Sequence, residues 1–547
     1  MTPWHVFQYK VFLFAPAPRE VREVMEDSPR ISVVAVSRND DHGVNLHRRM
    51  QTFVNAFISQ CKRHGLHAEL ILVDWNPPAD RPKLTHSLHW PADPRPCEVR
   101  VIEVPPHLHQ RYECGHALPL FQMIGKNVGI RRARGEYVLC TNIDILFNDE
   151  LMRFLTHGPL RPGEMYRIDR TDVGADVPVD APIEQQLTYC EANLLRLNAI
   201  LNTCRLGRLE DGTRVIALDK EDIAVPGTGI HLAEDWYEPE KDRQGRMFRW
   251  TIDGAAVLLQ PPPGPPRRLL LEVMPGPGTH YGSFGLEVRD ESDRTVAAGR
   301  VPSRRSLIKL DLPLDPKRRK LFRLYTHGGG QLLPIDNRVL NFAGCRLAWD
   351  EPGTGSRSRP FEAARLSRDG REATPGGVWQ QGRFVLQDLK ASALRLLRRL
   401  RQRRGRFLPD RIHTNTCGDF TMLKREHWFE LRAYAEFAMY SLHIDSLLCY
   451  AAHYSGIKEV VLRKPMYLYH IEHSAGSGWT PEGEQKLFDR LASKGIPCMT
   501  LDELYDWGEK MHRAGHGRLF NDDNWGLADE DLPETWMGAA LPEQRAA

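Results

Sequence analysis

The sequence predicts an α/β protein in which a mixed sheet flanked by helices is interrupted by an all-β sandwich. Apolar runs of strand length alternate with helical patterns over residues 31–235, and this alternation returns from about residue 411. Between them, residues 248–350 carry short alternating runs separated by Pro and Gly, which is typical of an antiparallel sandwich. A chain of 547 residues is long enough for several domains. We expect four parts: the N-terminal part of an α/β domain at 1–235, the insert at 236–350, a linker with a basic helix at 351–410, and the C-terminal part of the α/β domain with a tail at 411–547.

Four apolar runs in the first part predict the buried strands of a mainly parallel sheet. They are ISVVAV (31–36), ELILVDW (69–75), VRVIEVP (99–105) and EYVLCTNIDILF (136–147). Helical spacing over residues 44–64 and 119–134 predicts two of the connecting helices.

Eight short runs predict the strands of the insert, which we expect to be a jelly-roll-like sandwich. They are FRWTI, AAVLLQ, RLLLEVM, FGLEVRD, RTVAAGRV, SLIKLDL, KLFRLYT and CRLAW. Trp236, Tyr237 and Trp250 either pack the core of this sandwich or stack on sugars. A sandwich fold does not by itself imply carbohydrate binding.

A strongly basic amphipathic helix is predicted at residues 387–404, after a polar segment rich in Gly, Ser, Pro and Arg. This helix either lies on anionic lipid headgroups or packs its apolar face on the α/β domain. Both interpretations remain open.

The composition excludes several classes of protein. The formal net charge is +3, so no overall positive field indicates nucleic-acid binding. The ten cysteines include no CxxC pair, which argues against a structural zinc site or a disulfide scaffold and favours a reducing compartment. The N-terminus does not have the pattern of a signal peptide, and no run of 18 apolar residues occurs. We therefore expect a cytoplasmic protein, at most peripheral to the inner face of the membrane.

Polar residues follow the first two predicted strands, where an open parallel sheet binds its ligands. Ser37, Asn39 and Asp40 follow the first strand, and Asp74 ends the second. Asp74 either accepts hydrogen bonds from a base or ribose, or serves as a turn residue.

The segment GKNVGIRRARGEYVLCTNIDILF predicts a helix followed by a strand that ends in Asn142-Ile143-Asp144. Because residues two apart in a strand point to the same side, Asn142 and Asp144 could aim two oxygen atoms at one divalent cation. Such oxygen ligands suit Mg²⁺ or Mn²⁺, which would neutralise the charge of a diphosphate leaving group. The segment also supplies three candidates for nucleotide binding: Lys126, Asn127 and Arg134.

The combination of ISVVAVSRND, ILVDW, KNVGIRRARGEYVLCTNID and CGDFTMLKREHWFEL resembles nucleotide-sugar glycosyltransferases of the GT-A fold. The resemblance implies a Rossmann-like GT-A sheet and a metal-dependent transferase. Asn142 stands where the family usually has the first Asp of its metal motif, and Asp144 matches the second. It also implies that a later histidine, His470 in preference to His473, completes the site for Mn²⁺ or Mg²⁺.

The stretch that begins at CGDFTMLKREHW is similar to the acceptor region of galactosyltransferase-like and chondroitin-polymerase-like members. His443-Ile444-Asp445 stands at the place of the family's acidic motif, which implies that Asp445 is the catalytic base. The alternative is that Asp445 is a helix N-cap. Further candidates on the acceptor side are Asp419, His443, Glu472 and His473.

The resemblance implies a hexosyltransferase of polysaccharide biosynthesis that moves a sugar from a nucleoside-diphosphate sugar. A UDP-sugar is the first candidate for this donor. The acceptor would be a glycan or a glycolipid, and the transfer would invert the anomeric centre. One alternative is a non-catalytic carbohydrate-binding protein with a degenerate transferase domain, suggested by Asn142 and His443. Another is a nucleotidyltransferase that makes nucleotide sugars, although SRNDDHGVN is not the Gly-rich phosphate loop that such an enzyme needs.

Overall fold

The computed structural model describes residues 28–40, 42–199, 203–350, 412–473 and 483–538, apart from residues 234, 243, 266, 328, 330–331 and 334–335. The predicted linker and basic helix therefore lie outside the described residues.

The helices are α1 Leu46–His64, α2 Leu84–Ser87, α3 Pro106–His109, α4 Gln122–Arg132, α5 Asp149–His157, α6 Ile183–Ala192, α7 Arg425–Glu430, α8 Ile444–Tyr454, α9 Glu484–Ser493 and α10 Leu501–Ala514, with a 3₁₀ turn at Pro277–Thr279. The strands are β1 Ile31–Ser37, β2 Ala68–Trp75, β3 Cys97–Val104, β4 Tyr137–Cys140, β5 Ile145–Phe147, β6 Glu164–Ile168, β7 Arg170–Val173, β8 Leu194–Asn198, β9 Thr203–Arg208, β10 Arg214–Ile216, β11 Ile230–Leu232, β12 Trp236–Lys241, β13 Met247–Thr251, β14 Ala255–Leu259, β15 Leu269–Pro275, β16 Phe284–Arg289, β17 Thr295–Val301, β18 Ser306–Leu310, β19 Lys320–His327, β20 Leu332–Leu333, β21 Asp336–Val339, β22 Phe342–Trp349, β23 Thr421–Lys424, β24 Lys458–Leu462, β25 Leu468–Ile471 and β26 Glu534–Met537.

The molecule is mixed α/β, and its largest sheet has eight strands in the order β24-β6-β23-β4-β1-β2-β3-β26. Strands β1 to β4 run parallel, whereas β23 and β26 run antiparallel to their neighbours β4 and β3. Every residue of β1 and β2 is buried, because helices cover both faces. Val34 and Val36 belong to the core shared with α4 and α8, and Val33 and Ala35 to the core shared with α1 and α5. This alternation is the reason that the run ISVVAV is apolar throughout.

A second sheet carries six strands in the order β10-β9-β8-β7-β25-β5. The run predicted as one strand at 136–147 divides between the two sheets, since β4 ends at Cys140 and β5 begins at Ile145. The prediction of a continuous strand was therefore wrong. Asn142 and Asp144 lie in the connection between the sheets, and the period-two argument for their common orientation does not apply there.

Helix α4 packs on β1 with very little space between them. A Cβ atom on Gly129 would lie 2.4 Å from Val34 Cγ1, and one on Gly125 would lie 2.5 Å from Val36 Cγ2. These two glycines lie one helical turn apart, so both face the sheet. The close approach brings the end of α4 that precedes Gly125 near the carboxyl end of β1.

Two antiparallel five-stranded sheets follow, in the orders β11-β14-β19-β16-β17 and β12-β13-β22-β15-β18. Residues from both sheets fall in one hydrophobic core, and each of the eight runs predicted as strands coincides with a strand. Among the described residues, no ladder joins these sheets to the two sheets above. The first of their strands already begins at Ile230, inside the range 1–235. Trp236 and Trp250 are only 5% and 8% exposed, so the structure places both in packing positions.

The C-terminal residues return to the large sheet as β26, whose Trp536 lies against the guanidinium groups of Arg100 and Arg134. None of the helices in the described parts of the chain is long and apolar enough to cross a bilayer.

We predict that Gly129→Ala destabilises the protein by about 1–3 kcal/mol, the usual cost of overpacking a core. On a solvent-exposed face of a helix, the same change would stabilise the folded protein by about 1 kcal/mol. Val34 is β-branched and cannot easily swing its methyl group away. Chemical denaturation would measure the difference, with Gly207→Ala as a control because the nearest atom to its new Cβ lies at 3.7 Å. Equal stability of Gly129→Ala and the wild type would contradict the packing described for α4.

Candidate active site

A cavity of about 890 Å³ opens at the carboxyl ends of β1 and β4. Its lining comes from both ends of the described chain and includes ten of the residues predicted from sequence: Ser37, Asp40, Asn142, Asp144, Asp419, His443, Asp445, His470, Glu472 and His473. Five other predicted residues do not line it: Asn39, Asp74, Lys126, Asn127 and Arg134. The structure thus brings together the residues predicted for the metal and the acceptor, and only part of those predicted for the nucleotide.

Asp144, His470 and His473 form a cluster whose ligand atoms all lie within 4.8 Å of one another. Asp144 Oδ2 lies 3.7 Å from His470 Nε2 and 3.6 Å from His473 Nε2. Burial lowers the pKa of His473 to about 3, which keeps its imidazole neutral, the form that binds metals. Burial acts to raise the pKa of Asp144, but His470 and Arg49 outweigh it and the pKa lies below its ordinary value. One carboxylate and two imidazole groups fit a divalent transition metal such as Mn²⁺ better than Mg²⁺, which prefers oxygen ligands alone.

The orientation of His470 is set by a buried carboxylate behind it. His470 lies on β25 between Tyr469 and Ile471, whose side chains point into a hydrophobic core on the other face. Its Nδ1 lies 3.0 Å from Asp172 Oδ1, which leaves Nε2 facing Asp144. A carboxylate on the second nitrogen is a common partner of metal-binding histidines. This arrangement supports the assignment of His470 to the cluster.

Asp172 is fully buried and is held by cations. Its oxygens lie 2.8 Å from Arg170 Nε and 2.9 Å from Arg196 Nε. Burial acts to raise the pKa of Asp172, but Arg170 and His470 hold it far below its ordinary value. Arg196 also pairs with Glu472, which lines the cavity.

Arg49 is a site residue that the sequence reasoning missed. Its guanidinium lies 2.5 Å from Asp144 Oδ2 and donates to the carbonyl oxygen of His42 at 2.8 Å. The side chain is 4% exposed, on the face of α1 that carries Leu46 and Phe53. Arg49 lies three positions after Leu46 and four before Phe53, so all three share one face of the helix. A charged residue on an apolar helix face could have indicated a buried ion pair.

Asn142 and Asp419 join the two distant parts of the chain at the floor of the cavity. Asn142 Nδ2 donates to Asp419 Oδ1 at 2.5 Å, while its Oδ1 accepts from Lys126 Nζ at 2.9 Å. Lys126 also donates to the carbonyl oxygen of Gly418 at 2.7 Å, and Arg170 pairs with Asp419 at 2.8 Å. Asn142 therefore points to a side chain network and not to Asp144. Lys126 is fully buried in this network, below the cavity surface.

Asp445 lies in the first turn of α8, which begins at Ile444 and has His443 as its N-cap residue. The N-cap alternative for Asp445 is therefore wrong. Its Oδ1 accepts from the backbone N–H of Ser446 at 2.8 Å. The other carboxylate oxygen would lie 2.9 Å from a Cβ atom on Gly418, so a larger residue at 418 would require the Asp445 carboxylate to shift. Asp445 is half-buried at the cavity wall, which is compatible with contact to a bound molecule.

Asp74 is buried beside the cavity and not in its lining. Its Oδ2 accepts from the backbone N–H of Leu84 at 2.9 Å, and its buried Oδ1 has no hydrogen-bond partner among the described residues. Burial raises the pKa of Asp74 to about 6. Asn39 Nδ2 donates to the carbonyl oxygen of Pro82, so the loop before α2 covers both residues.

Asn127 and Arg134 have structural partners. Asn127 is fully buried and bonds the backbone of Tyr434 in both directions, accepting at 3.0 Å and donating at 2.8 Å. Arg134 pairs with Glu69 of β2 at 2.8 Å and with Glu98 of β3. Neither side chain is directed to the cavity lining.

Comparison with known protein families gives no match, and no curated protein matches this chain. The inference of function therefore depends on the geometry of the cavity. The cavity combines a cluster that could hold a cation, a half-buried carboxylate and a volume of about 890 Å³.

We predict that Asp144→Asn lowers the affinity for Mn²⁺ by more than 100-fold in calorimetric titration. Loss of an outer partner of a metal ligand typically costs about 10–100-fold, and loss of a charged ligand should cost more. Asn retains an oxygen that can accept from Arg49, so the fold should persist. Asp149→Asn is the matched control, because Asp149 pairs with Arg63 and His64 outside the cluster. Equal Mn²⁺ affinity in the two variants would remove Asp144 from the cation site.

We also predict that Asp74 makes the protein less stable as the pH rises from about 4 to 6. The folded pKa of about 6 lies above the ordinary value for Asp, about 3.9. The folded state therefore binds this proton more tightly than the unfolded state, and its contribution is lost as the proton dissociates. Asp74→Asn should remove this slope and be more stable than the wild type at pH 7 by about 1–3 kcal/mol. Denaturation at pH 5 and pH 7 would test this, and identical pH slopes would contradict it.

Proposed function

We propose that this protein is a metal-dependent glycosyltransferase of the GT-A type, interrupted by a β-sandwich insert. It would transfer a sugar from a nucleoside-diphosphate sugar to a hydroxyl group of a carbohydrate acceptor with inversion. The observation that carries the proposal is the shared cavity, in which Asp144 lies with Asp445, His470 and His473 although it is far from all three in sequence.

The order of the central strands supports the fold part of the proposal. Four parallel strands in the order β3-β2-β1-β4 are followed by the antiparallel β23, and the cavity opens where β1 and β4 end. Ligands of open α/β sheets bind at this edge. The two antiparallel sheets between β10 and β23 support a separate insert, because they share one core, to which β10 of the second sheet contributes Ile216.

The cation-binding residues would act on the donor. Asp144, His470 and His473 would hold the cation, which when bound would stabilise negative charge on the diphosphate leaving group. Asp172 would keep His470 in position, and Arg49 would balance the charge of Asp144 in the absence of a ligand. Ser37 and Asp40, at the end of β1, lie in the same lining and could contact the nucleotide.

Asp445 would act on the acceptor. A base must lie within hydrogen-bond reach of the proton that it takes, and Asp445 lines the cavity with its carboxylate held by the backbone N–H of Ser446. Transfer of the acceptor proton to Asp445 would accompany attack of the hydroxyl oxygen on the anomeric carbon and departure of the nucleoside diphosphate. Fixed positions of base and donor would reduce the entropic cost of the reaction.

The donor can be identified by a thermal-shift screen of nucleoside-diphosphate sugars with and without Mn²⁺. A donor at about a hundred times its Kd stabilises by roughly 2.7 kcal/mol. Release of nucleoside diphosphate from a donor that binds would support glycosyl transfer. Release of pyrophosphate would instead identify a nucleotidyltransferase, and binding without turnover would identify a carbohydrate-binding protein.

We predict that Asp445→Asn loses about 100- to 10,000-fold in kcat for transfer, the usual contribution of a general base. Donor affinity measured by calorimetry should remain within about threefold, because Asn keeps the oxygen that accepts from Ser446 N–H. Glu472→Gln is the comparison variant, since Glu472 lines the same cavity. If Glu472→Gln loses transfer and Asp445→Asn does not, the base is Glu472.

A further inference from the structure

The cavity has a second end whose chemistry differs from that of the cation cluster. Six apolar side chains line it, contributed by α9, α10 and the connection between them: Phe488, Leu491, Ile496, Met499, Leu501 and Leu504. We call these residues the apolar wall. Ser37, Arg49, Arg170 and the cluster itself make the other end polar and charged.

Two residues of the apolar wall are exposed, which a role in the core does not explain. Leu491, Ile496, Met499 and Leu504 are at most 8% exposed and belong to the core beneath α8. Phe488 and Leu501 are 37% and 48% exposed, although both line the cavity. Exposed apolar groups above an apolar floor form a surface that gains free energy when an apolar ligand covers it.

The apolar wall is attached to the segment that carries Asp445. The backbone N–H of Tyr440 donates to the carbonyl oxygen of Pro497 at 2.8 Å, and Tyr440 forms a bridge with Cys498. Tyr440 and Asp445 belong to one cavity-lining segment, only five residues apart. The apolar wall therefore borders the acceptor side of the proposed reaction and lies in one space with it.

We infer that the acceptor carries an apolar group, an alkyl chain or an aromatic ring, which the apolar wall binds while a sugar hydroxyl faces Asp445. This inference rests on the proposed function, because it identifies the apolar wall with the acceptor side. Rim residues Glu484 and Lys494 are exposed and charged, which suits an amphiphilic acceptor and not a purely apolar one.

Binding of matched glycosides tests the inference without turnover. Methyl, phenyl and octyl β-D-glucosides and β-D-galactosides share head groups and differ in the apolar group, and calorimetry below micelle-forming concentrations would compare them. For the wild type we expect the octyl or phenyl compound to bind at least about tenfold more tightly than the methyl compound, since each buried CH₂ contributes about 0.8 kcal/mol. A tighter octyl compound indicates an alkyl chain, and equal phenyl and octyl affinities indicate an aromatic ring.

Leu501→Ser and Phe488→Ser should each reduce the octyl-to-methyl preference by about five- to tenfold. Leu519→Ser is the matched control, because Leu519 is also 48% exposed but does not line the cavity, and it should keep the wild-type preference. Equal affinities of the wild type for methyl and octyl glycosides, or an equal loss in Leu519→Ser, would overturn the inference.

Donor binding separates a failure of this inference from a failure of the proposed function. Leu501→Ser should bind Mn²⁺ and a nucleoside-diphosphate sugar as the wild type does. One result is that the donor binds and releases nucleoside diphosphate, but the affinity for glycosides does not depend on the apolar group. In that case the inference about the acceptor is wrong and the proposed function stands. If no donor binds to any variant, the proposed function is wrong, and the assignment of the apolar wall to an acceptor is wrong with it.

Discussion

The insertion of β23 between β4 and β6 is the constraint on which the site depends. Thr141 Oγ1 donates to the carbonyl oxygen of Asp419 across a sequence separation of 278 residues. The fully buried guanidinium of Arg167, on β6, donates to Cys417 O and Thr421 Oγ1. These bonds hold the segment before β23 against the connection that follows β4. The floor of the cavity exists only when the two parts of the chain are paired in this way.

Buried charge is the second determinant of the site. Asp144, Asp172 and Asp419 are each at most 5% exposed, and burial of unpaired carboxylates would be strongly unfavourable. Arg170 bridges Asp172 and Asp419, so one cation links the histidine support to the cavity floor. Removal of one member of such a network leaves its partners uncompensated. The arrangement therefore favours a preformed site over one assembled when a ligand arrives.

Local patterns predicted most elements, and long-range pairing explains what they missed. The run ISVVAV became β1 and the eight short runs became strands, because burial on both faces produces a continuous apolar run and burial on one face an alternating one. The division of residues 136–147 between two sheets was not predictable, since both halves are apolar and only the pairing of β5 with β25 separates them. Asn127 and Arg134 have the polarity of ligand-binding residues, yet their partners are Tyr434, Glu69 and Glu98. Asp144 was predicted from its spacing and from the resemblance, and Asp445 from the resemblance. Arg49 was missed, although its place among apolar residues of α1 could have indicated a buried ion pair.

The placement of β23 has a consequence for how the protein is made. A ribosome adds about 5–20 residues per second, so β4 and β6 emerge tens of seconds before the strand that belongs between them. During this interval both strands have backbone donors and acceptors that no neighbour satisfies, and such edges pair readily with other chains. The nascent protein therefore has a defined period of vulnerability to aggregation, which ends only when β23 and then β24, the other neighbour of β6, leave the exit tunnel. Chaperone demand should depend on the time needed to translate the intervening segment as well as on the stability of the finished fold.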